Sequence, residues 1–287
     1  MVANKNNIKP KIIAIVGPTS SGKSDFAVKL AKKINGEVIS ADSRQIYKEL
    51  NLSSGKITKK EMCGIPHHML DLISLKKIFT VSDFQKLAYQ KIDEILNRGK
   101  TPIICGGTGF YIQAIVDGII LPEVPENKLL RKKLEKMSLI ELQNKLKKLD
   151  KNRYKQIDQN NKIRIIRAIE IATFLGKVPK IKSSPKYEVK QIGLLCSKEK
   201  LKEKINKRLK QRLKQGMISE IKKIHEHGVS WKKLERLGLE SRYISLFLQN
   251  KISKEKMLIE LENKIYQYSK RQMTWFKKDK RIEWIKN

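Results

Sequence analysis

The sequence predicts an α/β fold: a phosphate-loop (P-loop) parallel sheet core flanked by helices, with an inserted α-helical lobe and a helical C-terminal region. Three observations carry this. Apolar runs of strand length at IIAIV (12–16), EVISA (37–41), TPIIC (101–105) and QIGLLC (191–196) alternate with amphipathic helical patterns, as they do where parallel strands need helical crossovers. The first run leads directly into GPTSSGKS, Gly17 to Ser24, which fits the phosphate-loop template. From about Pro122 to Pro185 the strand signals stop and Lys/Arg-rich helical patterns take over, until QIGLLC brings a strand back.

Taken in chain order, Lys23 to Ile34 reads as a helix ended by Asn35-Gly36. EVISA is the second strand and ends at Asp42 in SADSRQIY. Ser82 with Gln85 predicts a capping box for a helix that runs to Arg98-Gly99. The third strand, TPIIC, enters Gly106-Gly107-Thr108-Gly109. In the insertion, SLIE (138–141) predicts a second capping box. NNKIRIIRAIEIATFLG (160–176) predicts a helix with an apolar stripe at 163, 166, 169, 172 and 175, closed by Gly176. Beyond QIGLLC, apolar residues at 201, 205, 209, 213, 217, 221 and 224 mark one face of a single long helix over 198–228. A last helix, about 254–278, runs into RQMTWFKKDKR. The chain therefore divides into a first part of the core (1–121), a helical insertion (122–185) and a segment that completes the core and adds C-terminal helices (186–287).

Composition bounds the partners. The 287 residues carry 63 Lys+Arg against 29 Asp+Glu, a formal charge of +34, with an ordinary 40% hydrophobic content. Such an excess on a folded surface points to a polyanion such as nucleic acid, although a Lys-rich codon bias gives the same balance. Cys63, Cys105 and Cys196 lie far apart and in no metal-ligand spacing, which suits thiols in a reducing compartment. Lys5, Lys9 and Lys11 precede an apolar run too short for a signal segment, and no run approaches a membrane span. A soluble, cytoplasmic, monomeric protein is expected.

The motifs narrow the chemistry. Backbone N–H groups from Thr19 to Lys23 can converge on phosphate oxygens at a helix N-terminus, Lys23 adds a charge, and the Ser24 hydroxyl can hold Mg²⁺. Asp42, at the C-terminal edge of a parallel strand, faces the ligand crevice as a general base, a metal ligand or a turn cap. No acid ends the third strand, where ATP-hydrolysing phosphate-loop proteins keep one for Mg²⁺, so a motor is disfavoured. The double glycine there allows close backbone approach, and Thr108 offers a hydroxyl to a phosphate or ribose, or caps the turn. His67-His68 read as hydrogen-bonded structural residues, since no further ligand completes a metal set. Arg164 with Arg167, and Arg208 with Arg212, have the helical spacing to meet phosphates, though most such pairs are solvated faces.

GPTSSGKS, ADSRQIY, GIPHHMLD, FTVSDFQ, PIICGGTGFYIQAI, IRIIRAIEI and YSKRQMTWF, in that order over nearly the whole chain, resemble the tRNA dimethylallyltransferase (isopentenyl-tRNA transferase) family. The resemblance implies transfer of a dimethylallyl group from dimethylallyl diphosphate to N6 of the adenine beside the anticodon in tRNA, with Mg²⁺. On this likeness Gly17, Pro18, Thr19, Ser20, Ser21, Gly22, Lys23 and Ser24 would hold the donor's diphosphate, with Ser24 on the metal. Asp42 resembles the general base, and Lys23, Thr108 and Arg208 would complete the catalytic set. Asp42, Ser43, Arg44, Gln45 and Thr108 would meet the tRNA around the target base, and Arg131, Ile163, Arg164, Ile165, Ile166 and Arg167 would meet it on the insertion. The chain departs from the family pattern at Ser53-Ser54-Gly55-Lys56-Ile57, usually Gly-Thr-Ala-Lys-Pro, at IDQNN, which lacks a proline, and at GLES (238–241). A phosphate-loop nucleotide or small-molecule kinase is the rival reading; it explains the loop and Asp42 but not the charge of the helices.

Overall fold

Parallel pairing is what the apolar runs achieve. In the computed structural model, which describes residues 9–286 and so leaves Lys5 outside, β1 (Lys11–Val16) is followed by α1 (Lys23–Lys33), β2 (Gly36–Ser40), α2 (Lys59–Met62), β3 (His67–His68), α3 (Val81–Asn97), β4 (Thr101–Cys105) and α4 (Gly109–Val116). Next come β5 (Ile119–Ile120), α5 (Lys128–Lys136), α6 (Leu139–Leu149), α7 (Lys151–Gln156), α8 (Lys162–Leu175) and β6 (Lys182–Ser183). The chain closes with β7 (Glu188–Leu195), α9 (Lys198–Lys214), α10 (Met217–Glu226), α11 (Trp231–Leu237), α12 (Leu239–Leu248), α13 (Lys254–Phe276) and β8 (Ile282–Lys286).

Two compact units result: one comprises the residues up to Gly118 and from Pro185 onward, the other Ile119–Ser184. The first is built on a six-stranded sheet in the order β3-β2-β4-β1-β7-β8, parallel throughout. Ile15 in β1 stands beside Cys105 of β4, and Cys105 beside Ser40 of β2, so these three strands end within a residue of one another and open one crevice at their C-terminal edge. Alternate residues feed two layers: Ile12, Ala14 and Val16 join the larger core, while Ile15 packs with Ala27, Ala31, Val38, Ile103 and Leu194. A sheet covered on both faces needs such continuously apolar strands. Among the described residues no helix is long and apolar enough to cross a membrane.

Three local readings change. The α3 helix opens at Thr80 rather than Ser82: Thr80 Oγ1 accepts the Asp83 N–H, and Asp83 accepts the Thr80 N–H. Gln85 instead donates to the Ala114 carbonyl at 2.7 Å. The expected single helix over 198–228 is two, because Gly216 adopts φ 100° and starts α10 afresh. Its stripe nevertheless stays buried at Leu201, Ile205, Leu209, Met217, Ile221 and Ile224. Two strands, β3 and β8, join the sheet without having been read, β3 because two residues carry no period.

His68 and His67 are hydrogen-bonded within the fold. His68 Nε2 lies 2.7 Å from Glu37, a buried acid on β2 that also accepts from Arg98 at 2.7 Å and Lys100 at 2.8 Å. Burial pushes the Glu37 carboxyl upward, but the hydrogen bonds from Lys100, His68 and Arg98 outweigh it and hold the group at about 2. His67 Nδ1 sits 2.8 Å from the Ile65 carbonyl oxygen.

The second unit is helical apart from the antiparallel pair β5–β6, which brings its start to Ile119. Its core is Leu134, Leu142, Leu146, Ile165, Ile166 and Ile169. The Ser138–Glu141 capping box is present, and α8 closes on Gly176. The expected stripe on α8 is buried at its centre, Ile166, Ile169 and Ala172, but not at its ends, where Ile163 is 77% exposed and Leu175 46%; Ile165, Ala168 and Ile171 widen the buried face beyond it. With apolar residues nearly all around this helix, spacing alone could not set the width of the buried face.

Candidate active site

Within the first unit, the C-terminal edge of β1 and β4 opens on a cavity of about 480 Å³. One wall is the phosphate loop. Ser20 (φ 62°) and Gly22 (φ 91°) turn the chain through left-handed conformations. Gly22 then caps α1 without a side-chain bond, which leaves the first-turn amides at Lys23 and Ser24 to an anion. The Thr19 amide is placed otherwise than the motif suggests: it donates to Gln272 Oε1 at 2.8 Å. Gly17, Pro18 and Ser21 complete the turn, and Lys23 Nζ donates to the Pro18 carbonyl at 2.6 Å.

Electrostatics single out Lys23. Burial is the main cause that draws its ammonium down to about 8; Arg208 lowers it further, while Cys105 and Asp42 act the other way. A buried amine this near neutrality gains most when an anion arrives to pair with it. Its neighbour Cys105 is pushed up to about 11, chiefly by burial, and stays a thiol.

Asp42, just past β2, borders the same cavity from the far side of β4. Its Oδ1 accepts the Arg44 N–H at 2.8 Å, the turn cap that Asp offers at such a position. No partner takes Oδ2 among the described residues, and the side chain borders the cavity. One carboxylate thus both shapes the ADSR turn and presents an oxygen to a ligand. Thr108 Oγ1 accepts the Ser43 N–H at 3.1 Å, so the side chain of Thr108, the residue at the N-cap of α4, joins this turn to the glycine loop after β4 instead of capping the helix. Gly106 has no room for a side chain, since a Cβ would lie 2.2 Å from the Ala41 carbonyl oxygen. Gln45 bridges Ser40 Oγ (3.0 Å) and the Gly55 carbonyl (3.2 Å).

The loop of residues 51–57, where the sequence departs from the family pattern, is held from α9 and α10. Arg208, nearly fully buried, donates to the Gly55 carbonyl at 2.9 Å, and Arg212 donates to that of Leu52 at 2.9 Å. Glu220 accepts the amides of Asn51, Leu52 and Ser53. Gly55 sits at φ 59°, and a Cβ there would come within 2.6 Å of Arg208. Lys56 ties the loop down through the Tyr47 carbonyl, Asn51 and Asp71.

Sequence reasoning did not single out Gln272. Its Oε1 accepts from Thr19 while its Nε2 donates to the Gly107 carbonyl at 2.9 Å, so one buried amide on α13 joins the two glycine loops. The signal was the RQMTWF block, in which no residue announces a phosphate. Gln272→Ala should release both loops: we expect kcat/KM for the phosphorylated donor to fall about 10- to 100-fold, in line with loss of preorganised contacts, with far-ultraviolet circular dichroism unchanged. Equal kinetics would make the bridge incidental.

The insertion residues have their own setting in the second unit. Arg131 pairs with buried Glu170 through Nε (3.0 Å) and with Glu126 at 2.7 Å. Arg167 lies 3.6 Å from Glu170 and donates to the Val124 carbonyl at 2.9 Å. Arg164 is more open, 3.9 Å from Asp158. Ile163 is exposed, but Ile165 and Ile166 are buried at 0% and 5%, so their side chains pack the helical core rather than offer a surface.

No cluster of three or more His, Cys, Asp or Glu side chains forms a metal site among the described residues. The cavity instead offers the Ser24 hydroxyl and the carboxylates of Asp25 and Asp42. These hard oxygens fit a divalent cation that takes most of its ligands from phosphate and water.

Fold and site together define a phosphate-loop enzyme with a cavity for a phosphorylated donor that Asp42 borders from the end of β2, and with the buried thiol of Cys105 where an ATPase would keep an acid. Comparison with known proteins carries this further. The family model described as IPP transferase matches residues 45–279. A tRNA dimethylallyltransferase 2 from Treponema denticola is 39% identical, with 96% of each chain covered. The solved tRNA isopentenylpyrophosphate transferase of Bacillus halodurans superposes with a TM-score of 0.74 at 35% identity, over 97% of this chain and 90% of that one. A eukaryotic dimethylallyltransferase caught acting on tRNA reaches 0.80 at 28% identity, over 96% and 74%. The chain belongs to the IPP transferase family and is a prenyltransferase. Transfer in this family generally depends on a divalent metal.

Proposed function

We propose that this enzyme transfers the dimethylallyl group of dimethylallyl diphosphate to N6 of the adenine adjacent to the anticodon in tRNA and releases diphosphate. It acts as a cytoplasmic monomer. The observation that carries the reading is the cavity itself, which brings Lys23 and the α1 N-terminus together with Asp42. The adenine is flipped out of an already single-stranded loop at modest cost. Its N6 attacks C1 of the donor, the C1–O bond breaks, and the electron pair leaves with diphosphate toward the phosphate loop. Lys23, Arg208 and the first-turn amides of α1 stabilise the charge that grows on the leaving oxygen. Asp42 accepts the N6 proton as the new C–N bond forms, and Thr108 keeps the turn that carries Asp42 in register. Mg²⁺, held by Ser24 with the donor's phosphates, would neutralise the leaving group when bound. Ser43, Arg44 and Gln45 line the approach of the base. Arg164, with Arg131 and Arg167 oriented by Glu170, meets tRNA phosphates on the insertion; exposed Ile163 offers an apolar contact beside them, and Ile165 and Ile166 support them from within.

The test sets the two donors against each other. Purified enzyme with unmodified bulk tRNA and labelled dimethylallyl diphosphate should place the label on an adenine next to the anticodon, and γ-labelled ATP should give no labelled acceptor. Transfer from ATP without transfer from the prenyl donor would establish the kinase instead.

A further inference from the structure

The two ends of the donor make opposite electrostatic demands, and the residues described so far meet one of them. As the C1–O bond breaks, negative charge gathers on the diphosphate and positive charge spreads over C1 and C3 of the allyl unit. Lys23, Lys204, Lys207, Arg208 and Arg212 all border the cavity. They favour the leaving anion and oppose the charge on carbon. The cavity's carboxylates, Asp25, Asp42 and Glu61, are fewer than these cations, so a further group of negative potential beside the hydrocarbon would help.

Tyr268 is the one aromatic side chain among the described residues that border the cavity. It stands on α13 four residues before Gln272, hence on the same helical face, and Gln272 is bonded to Thr19 of the phosphate loop. One helical turn, about 5.4 Å, matches the reach of a short prenyl chain leaving a diphosphate seated on that loop. The Arg271 guanidinium lies over the ring, 5.7 Å from its centroid, a contact that shows the π system can face a cation, and 37% of the residue's surface remains open. Its phenol is raised to about 12, first by burial and next by the charge of Asp42, so ring and base share one compartment.

We propose that Tyr268 is a catalytic residue of the prenyl transfer, its π face lying along the allyl unit and stabilising the positive charge that develops there. The proposal rests on the prenyl-transfer reading above. An aromatic face attracts a desolvated cation through its quadrupole, and because the charge exists only on the way to product, the attraction lowers the barrier rather than KM. The Tyr268 hydroxyl is not required for this; the ring is.

The experiment replaces the ring's electrons and keeps its shape. In the full-length enzyme, Tyr268 is exchanged for Phe and then for 4-fluoro-, 3,5-difluoro- and 3,4,5-trifluorophenylalanine, with Tyr268→Leu as a non-aromatic end point. Single-turnover prenyl transfer to unmodified tRNA is measured alongside KM for both substrates. The expected result is Phe within about 3-fold of Tyr, a stepwise decline to about 10-fold at trifluoro, and about 30- to 100-fold for Leu, with KM for the donor within about 2-fold throughout. A rate flat across the fluorinated series overturns the proposal. So does a loss confined to KM for tRNA, which would mean that the ring stacks on the base. An unmodified enzyme that moves no prenyl group would sink the function reading and this proposal together; an active one with a flat series sinks only the proposal.

Discussion

Asp42→Asn should lower turnover about 10²- to 10⁴-fold, the range lost when a positioned general base is removed, while the dissociation constant for tRNA stays within about 3-fold. The substitution is chosen because the side chain has two jobs. Asn keeps an Oδ1 that can accept the Arg44 N–H, so the turn after β2 survives. It cannot accept a proton from N6, so only the chemical step suffers. Single-turnover rates with saturating donor, set beside filter binding of tRNA, separate the two. Turnover equal to that of the unaltered enzyme would leave Asp42 as a turn cap and require another base.

Lys23→Met should be nearly as damaging, for a different reason. Removing one preorganised stabiliser of a developing oxyanion costs roughly 10²- to 10³-fold, and here the loss should fall on kcat/KM for the donor. The lysine also sets a pH dependence whose sign follows from its environment. Burial holds its ammonium at about 8 in the free enzyme, so the charged form that attracts the diphosphate is complete below that pH and lost as pH rises through it. Donor kcat/KM should therefore decline above about pH 8. Bound diphosphate favours the charged form, so the decline in kcat itself should move to higher pH. In the Met variant the limb near pH 8 should vanish from kcat/KM; if it persists, another group titrates.

How much of this was legible depended on whether the signal was local. Four of the five long strands and the phosphate loop were readable because each is a contiguous run with its own pattern, and Ser138 with Glu141 announced a helix start through two neighbours in sequence. Gly216 was readable as a glycine but not as a break, because the apolar stripe continues across it onto the same core. Thr80 lost to Ser82 in the reading because both suit a cap, and only the backbone's entry angle decides between them. The site divides the same way. Lys23 and Asp42 follow from motif and strand end, whereas Gln272 and Tyr268 reach the cavity from α13, more than 200 residues further along. Their types are unremarkable in a helix, and only the fold gives them a role. The near-neutral state of Lys23 was equally hidden, since it arises from burial beneath the loop rather than from any residue nearby in sequence.

The account stands or falls on where the donor's charged head comes to rest. A crystal structure of the enzyme with an unreactive thiolodiphosphate analogue of dimethylallyl diphosphate should show both phosphates on the loop of Gly17 to Ser24, within hydrogen-bond distance of Lys23 Nζ, and the first carbon directed toward Asp42. Phosphates found on any other surface, with that loop empty, would contradict it.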